Sequence, residues 1–86
     1  MMITLKLFGR FRDFSTAPEI QVELPGITTV AEFRNAFDSW ARGHWPRYTS
    51  GLLRSSAIAT ESDLLQAWSP LPVDGRIAIL PPVSGG

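Results

Sequence analysis

The chain has 86 residues, 44% of them hydrophobic, and its eight Lys and Arg balance eight Asp and Glu. That length holds one small domain, and the composition suits a packed core rather than a disordered chain. Zero net charge argues against a phosphate-backbone binder, the lack of cysteine excludes disulfides and thiolate chemistry, and the single His44 cannot build a multi-histidine metal site.

Ile3, Leu5 and Leu7 alternate with Thr4, Lys6 and Phe8, a period of two that predicts a half-buried strand ended by Gly9. Arg10 to Pro18 reads as a polar loop in which Arg10 and Arg12 are solvated charges. Ile20, Val22 and Leu24 alternate with Glu19, Gln21 and Glu23 to give a second strand, stopped by Pro25-Gly26. The period then changes. Val30, Phe33, Phe37 and Trp40 (or Ala41) recur at helical spacing, and Thr29 with Glu32 forms a capping-box pattern. Gly43 and Pro46 are expected to end this helix, which runs from about Val30 to Arg42. Residues 43–55 carry no single signal. Ser56–Ala59 reads as a short strand, and Leu64–Trp68 as another short strand or an irregular edge. Asp74-Gly75 is a turn leading into the last strand, Arg76–Leu80, which Pro81 closes. The longest uninterrupted apolar run, Ile77–Leu80, is far below the ~20 residues of a membrane span. No basic region followed by a long apolar one appears in Met1–Lys6, so a soluble, cytoplasmic domain without membrane contact is expected.

The order β-β-α-β-(β)-β leaves one helix to cover one face of the sheet. The first and last strands then lie side by side in parallel at the centre, joined by a long connection that contains the helix. This is the β-grasp (ubiquitin-like) arrangement, an α+β fold with a mixed sheet and one main helix. Residues 1–80 are expected to form the domain, and 81–86 an extended, flexible C-terminal tail.

The tail reads Leu80-Pro81-Pro82-Val83-Ser84-Gly85-Gly86. Two prolines favour polyproline geometry at ~3.1 Å per residue, so six residues reach roughly 18–20 Å from the body. Two glycines without Cβ atoms fit a narrow channel and let backbone approach a ligand closely. The features suit delivery of the Gly86 carboxylate into another protein's active site. Ionised at neutral pH, with a reference pKa of about 3.3–3.7, that carboxylate is a poor electrophile and needs prior activation, for instance as an acyl-adenylate.

This ending, with the Phe8 strand and the Thr29–Arg42 helix, resembles the small, sulfur-carrying subunit of molybdopterin synthase (the MoaD family). Ubiquitin and the thiamine-pathway sulfur carrier share the fold and the Gly-Gly end but not typically the Pro-Pro-Val-Ser approach. The resemblance implies that an E1-like adenylyltransferase uses ATP to adenylate Gly86, and that persulfide-derived sulfur displaces AMP to leave a thiocarboxylate. It implies that this group then enters the large synthase subunit and gives its sulfur to cyclic pyranopterin monophosphate. The acids and bases would reside on the large subunit, in a hetero-oligomer. The chain itself would bind no cofactor or metal.

On alternation, Phe8 and Leu80 are expected to form one exposed apolar patch near the tail's root, a common mark of an interface. The resemblance adds Leu64 to this partner surface, gives Gly86 and Gly85 the reacting end, and extends partner contact along Pro81, Pro82, Val83 and Ser84. Three alternatives stay open. Another ubiquitin-like sulfur carrier, of the thiamine type, would load the same Gly86. A single-conjugation protein modifier would use the same Gly86, and Lys6 is the only internal lysine for self-linkage. The interleaved Trp40, Arg42, His44, Trp45, Arg47 and Tyr48 could stack on nucleic acid. The preferred reading places Trp40 in the helical stripe and the others in an exit loop, with no nucleic-acid partner.

Overall fold

The computed structural model describes residues 1–82. The alternating segments become β1 (Met2–Leu7) and β2 (Glu19–Glu23), and the helical stripe becomes α1 (Val30–His44). A short α2 (Ser50–Arg54) comes next, then β3 (Ala57–Ala59), β4 (Leu64–Leu65) and β5 (Arg76–Leu80). The strands form one mixed sheet in the order β2-β1-β5-β3-β4. Its central pair, β1 and β5, is parallel, and the other pairs are antiparallel. The expected topology is therefore present.

Residues paired across strands share a face of the sheet, so the register assigns every side chain to one side. Leu5 pairs with Ile77 and Leu7 with Ile79, and Ile79 pairs with Ile58. These residues form a single core with Val30, Phe33, Phe37 and Ala41 of α1. The rings of Phe33 and Phe37 stack at 5.4 Å, filling the space between helix and sheet.

The start of α1 is closed twice over. Thr29 accepts from the Glu32 amide at 3.3 Å, while the Glu32 carboxylate accepts from the Thr28 and Thr29 amides at 2.8 and 3.0 Å. Hydrogen bonds from Thr28, first of all from its amide, hold the Glu32 carboxyl below its ordinary pKa. The carbonyls of Ser69 and Ala67 take the Val30 and Ala31 amides at 3.0 and 2.9 Å. Together these partners satisfy donors that a helix leaves free.

Several local expectations are corrected. The helix passes through Gly43 to His44, because Gly43 stays helical and the actual stop is Pro46, which holds Trp45 extended at φ −116°, ψ 102°. The Arg10–Pro18 segment is no simple polar loop: Gly9–Phe14 form a 3₁₀ turn that buries Phe11 completely. Arg10 and Arg12 on either side of Phe11 do point to solvent. Phe14 stacks on Trp45 at 5.0 Å. Trp45 and Tyr48, expected in an exit loop, belong to the core. Ser56 precedes β3 instead of opening it, since its amide and hydroxyl bond back to the carbonyls of Leu53 and Leu52 and finish α2. The Leu64 strand stops at Leu65 because Gln66–Ser69 close a turn, with the Ser69 amide donating to the Gln66 carbonyl at 3.0 Å. The Asp74-Gly75 turn forms as expected: Gly75 takes φ +69°, and Asp74 Oδ1 accepts from the Arg76 amide at 3.0 Å.

Candidate functional site

The face of the sheet away from α1 carries the candidate surface. One row across it reads Glu19, Lys6, Ala78, Ala59, Leu64. Leu80 pairs with Ala57 one step further along the same face. Phe8 comes two residues after Lys6, and continuing the β1–β5 register sets it beside Leu80. Alanine side chains are too short to fill the pleat between the larger neighbours. The result is an open depression of about 230 Å³ over Ala59 and Ala78, bounded by Phe8, Leu80, Lys6 and Glu61.

Phe8 is 44% exposed and Leu80 is half-buried, so the two line one apolar surface beside the point where the chain leaves β5. Leu64 is 65% exposed on the same face, at the β4 edge, and lies outside the depression. Lys6 and Arg76 put cations on the rim, with Glu19 and Glu61 as the anions. An apolar floor with a mixed-charge rim is the anatomy of a protein contact, where apolar burial supplies affinity and charges fix orientation.

Pro81 is half-buried and Pro82 exposed. Pro81 has no amide proton to extend the ladder, so pairing with β3 ends at Leu80. Gly9, at φ +56°, stands so close to the Pro81 ring that a Cβ added there would lie 2.5 Å from Pro81 Cγ. Val83, Ser84, Gly85 and Gly86 lie outside the described residues.

A second polar cleft of about 290 Å³ runs between α1 and α2, lined by Arg34, Asp38, Ser50 and Arg54 among others. Two of its charges, Arg34 and Asp38, are committed to structure. Arg34 donates to the carbonyls of Leu53 and Ser56 at 2.9 and 2.7 Å, and its burial lowers the guanidinium pKa. Asp38 accepts from the Tyr48 hydroxyl at 2.6 Å, which holds the carboxyl below its ordinary range. Burial, reinforced by the same Asp38 bond, pushes Tyr48 upward.

The aromatic and cationic residues around the helix exit do not form one platform. Trp45 and Tyr48 are buried, Trp40 packs between Phe37 and His44, Arg42 pairs with Asp38 at 3.4 Å, and Arg47 is exposed. His44 stacks on Trp40 at 4.2 Å with Nδ1 2.7 Å from the Trp40 carbonyl. Among the described residues there is no cluster of potential metal ligands, and no helix is long and apolar enough to cross a membrane.

Sequence reasoning missed Ala59 and Ala78, whose small size makes the depression, and Gly9 beneath Pro81. The available signals were the alanines in two short strands and a glycine immediately after an apolar alternation.

No protein-family model matches the sequence, and no curated protein matches it. Among solved structures, the chain is similar to SAMP1 from Haloferax volcanii, with a TM-score of 0.69 and 20% identity over the full length of both chains. The chain has a ubiquitin-like β-grasp fold. In that fold the central parallel pair ends at one edge of the body, and the Phe8–Leu80 surface and the exit from β5 lie there together.

Proposed function

We propose that this chain is a sulfur carrier of the molybdopterin-synthase small-subunit type, with the Gly86 carboxylate as the group that is loaded and unloaded. The observation that carries this reading is the order Pro-Pro-Val-Ser-Gly-Gly, which comes directly after the central strand of a β-grasp body and starts beside an apolar depression. An E1-like adenylyltransferase docks on Phe8 and Leu80, with Leu64 at the margin, and joins the carboxylate to the α-phosphate of ATP with loss of pyrophosphate. Persulfide-derived sulfur then attacks the acyl carbon and AMP leaves. A thiol of the loading machinery splits the acyl disulfide, which yields the thiocarboxylate. The large synthase subunit accepts the loaded end in a cytoplasmic hetero-oligomer, and cyclic pyranopterin monophosphate takes the sulfur. Gly85 gives steric access, and Pro81, Pro82, Val83 and Ser84 give reach. The carrier contributes the reacting atom, and the acids and bases belong to its partner.

Coexpression with a cognate adenylyltransferase and a sulfur source, followed by intact-mass measurement, tests this reading. The expected product has one oxygen replaced by sulfur at Gly86, and Gly86→Val abolishes it while the melting temperature stays unchanged. An unmodified mass after exposure to competent loading enzymes counts against the carrier. A second reading, a single-conjugation modifier, draws on the same Gly-Gly end and on the fold it shares with ubiquitin; isopeptide adducts on other proteins would establish it instead.

A further inference from the structure

Gly9 and Pro81 are neighbours only through the parallel register. Thr4 pairs with Arg76 and Leu7 with Ile79, so two further steps set Phe8 beside Leu80 and Gly9 beside Pro81. Both residues lie just past the ends of β1 and β5, immediately after the Phe8–Leu80 pair. The space a side chain at residue 9 would need is taken by the proline ring: a Cβ there would lie 2.5 Å from Pro81 Cγ and 3.5 Å from Pro81 Cδ. Gly9 also adopts φ +56°, which lets the chain turn out of β1 into the 3₁₀ segment. Two separate demands therefore fall on one residue, a left-handed backbone and an empty Cβ position.

We propose that Gly9 is a positioning residue for the tail: its bare Cα is the seat of the Pro81 ring, and this seat sets the direction in which the chain leaves β5. The proposal rests on the reading of the tail as the loaded group. Pro81 fixes its own φ near −65°. A ring that is both rigid and seated holds the chain at Pro81–Pro82 in one direction relative to the sheet. The adenylating partner then meets the Phe8–Leu80 surface and the root of the tail at Pro81 in one fixed relation. Pre-organisation of this kind lowers the ordering cost of association.

The absence of cysteine allows a single nitroxide label to be placed at Ser84→Cys in the full chain. Paramagnetic broadening is then read at two flanks of the tail's root, Thr60–Glu61 by the depression and Arg10–Phe14 in the 3₁₀ turn. With the seat intact, broadening is confined to one flank. Pro81→Gly removes the ring, and both flanks broaden. Gly9→Asn keeps a residue that tolerates positive φ but introduces the colliding Cβ, and it moves the broadened region. Combining Gly9→Asn with Pro81→Gly removes that collision, so the double variant behaves as Pro81→Gly alone.

Broadening of both flanks in the parent, or an unchanged map in variants that still melt cooperatively, overturns the proposal. A loading assay run on the same proteins separates the two readings. A tail steered by Gly9 that no adenylating enzyme loads would defeat the sulfur-carrier reading and leave the seat standing. A loaded tail with an unsteered map would do the reverse. Where both hold, the loading KM rises for Gly9→Asn and Pro81→Gly while kcat changes less, a split that a purely structural role for Gly9 would not produce.

Discussion

On the helix side of the sheet, Leu5, Leu7, Ile58, Ile77 and Ile79 lie beneath Phe33 and Phe37 almost without exposure. On the open side the same strands present Lys6, Ala59, Ala78 and Arg76, with Phe8 and Leu80 at one end. The strands are shared, so backbone pairing cannot account for the difference. Side-chain volume does. Large branched and aromatic residues close one face against α1, and alanines leave the other unfilled. One face holds the fold together, and the other is free to meet a partner at little cost to stability.

Truncating the closed face gives the largest expected effect. Phe37 is fully buried and stacks on Phe33 and Trp40, so Phe37→Ala is expected to cost about 3–5 kcal/mol, read by denaturant unfolding. A loss below ~1 kcal/mol would mean that α1 does not close this face as described. Arg34→Ala comes next, at about 2 kcal/mol, because two carbonyls at the end of α2 lose a charged donor. Arg34→Lys should recover only part of this, since a single ammonium lacks the planar fork that reaches both carbonyls.

A smaller effect appears in acid. The Tyr48 bond keeps the Asp38 carboxyl below its ordinary pKa in the folded chain, so the folded state binds that proton less readily than the unfolded one. The resulting stability is fully present above the ordinary carboxylate range and is lost as pH falls through that range toward the lowered value. Tyr48→Phe should flatten this part of the melting-temperature profile. An identical acid slope in both proteins would remove Asp38 from the account. The open face gives the smallest change: Phe8→Ala should shift stability by no more than about 0.5–1 kcal/mol while sharply weakening capture by an adenylating partner. Equal loss of stability and of capture would break the distinction between the faces.

The strong periods were legible. Ile3-Leu5-Leu7 and Ile77-Ile79 announced strands, and Thr29 with Glu32 marked the helix start, because alternation and capping are local and leave their pattern in neighbouring residues. Phe11 was hidden among Arg10, Arg12 and Asp13, whose charge suggested a solvated loop. Its three-residue spacing to Phe14 was the signal for a 3₁₀ turn. Trp45 and Tyr48 were lost behind Pro46, and their partner Phe14 is remote in sequence. Of the candidate surface, Phe8 and Leu80 could be paired from parity alone. The depression between them could not, since it requires the β3–β5 register that sets Ala59 against Ala78.

The central parallel pair has a consequence for biogenesis. Its two members are the first and last strands of the sheet, so a ribosome must release Arg76–Leu80 before β1 finds its neighbour. A nascent chain that stalls short of this point holds a hairpin and a helix without the strand that unites them. Such non-local closure makes folding late and slow relative to local contacts. The surface that Leu80 forms with Phe8 therefore exists only once this central pair has closed.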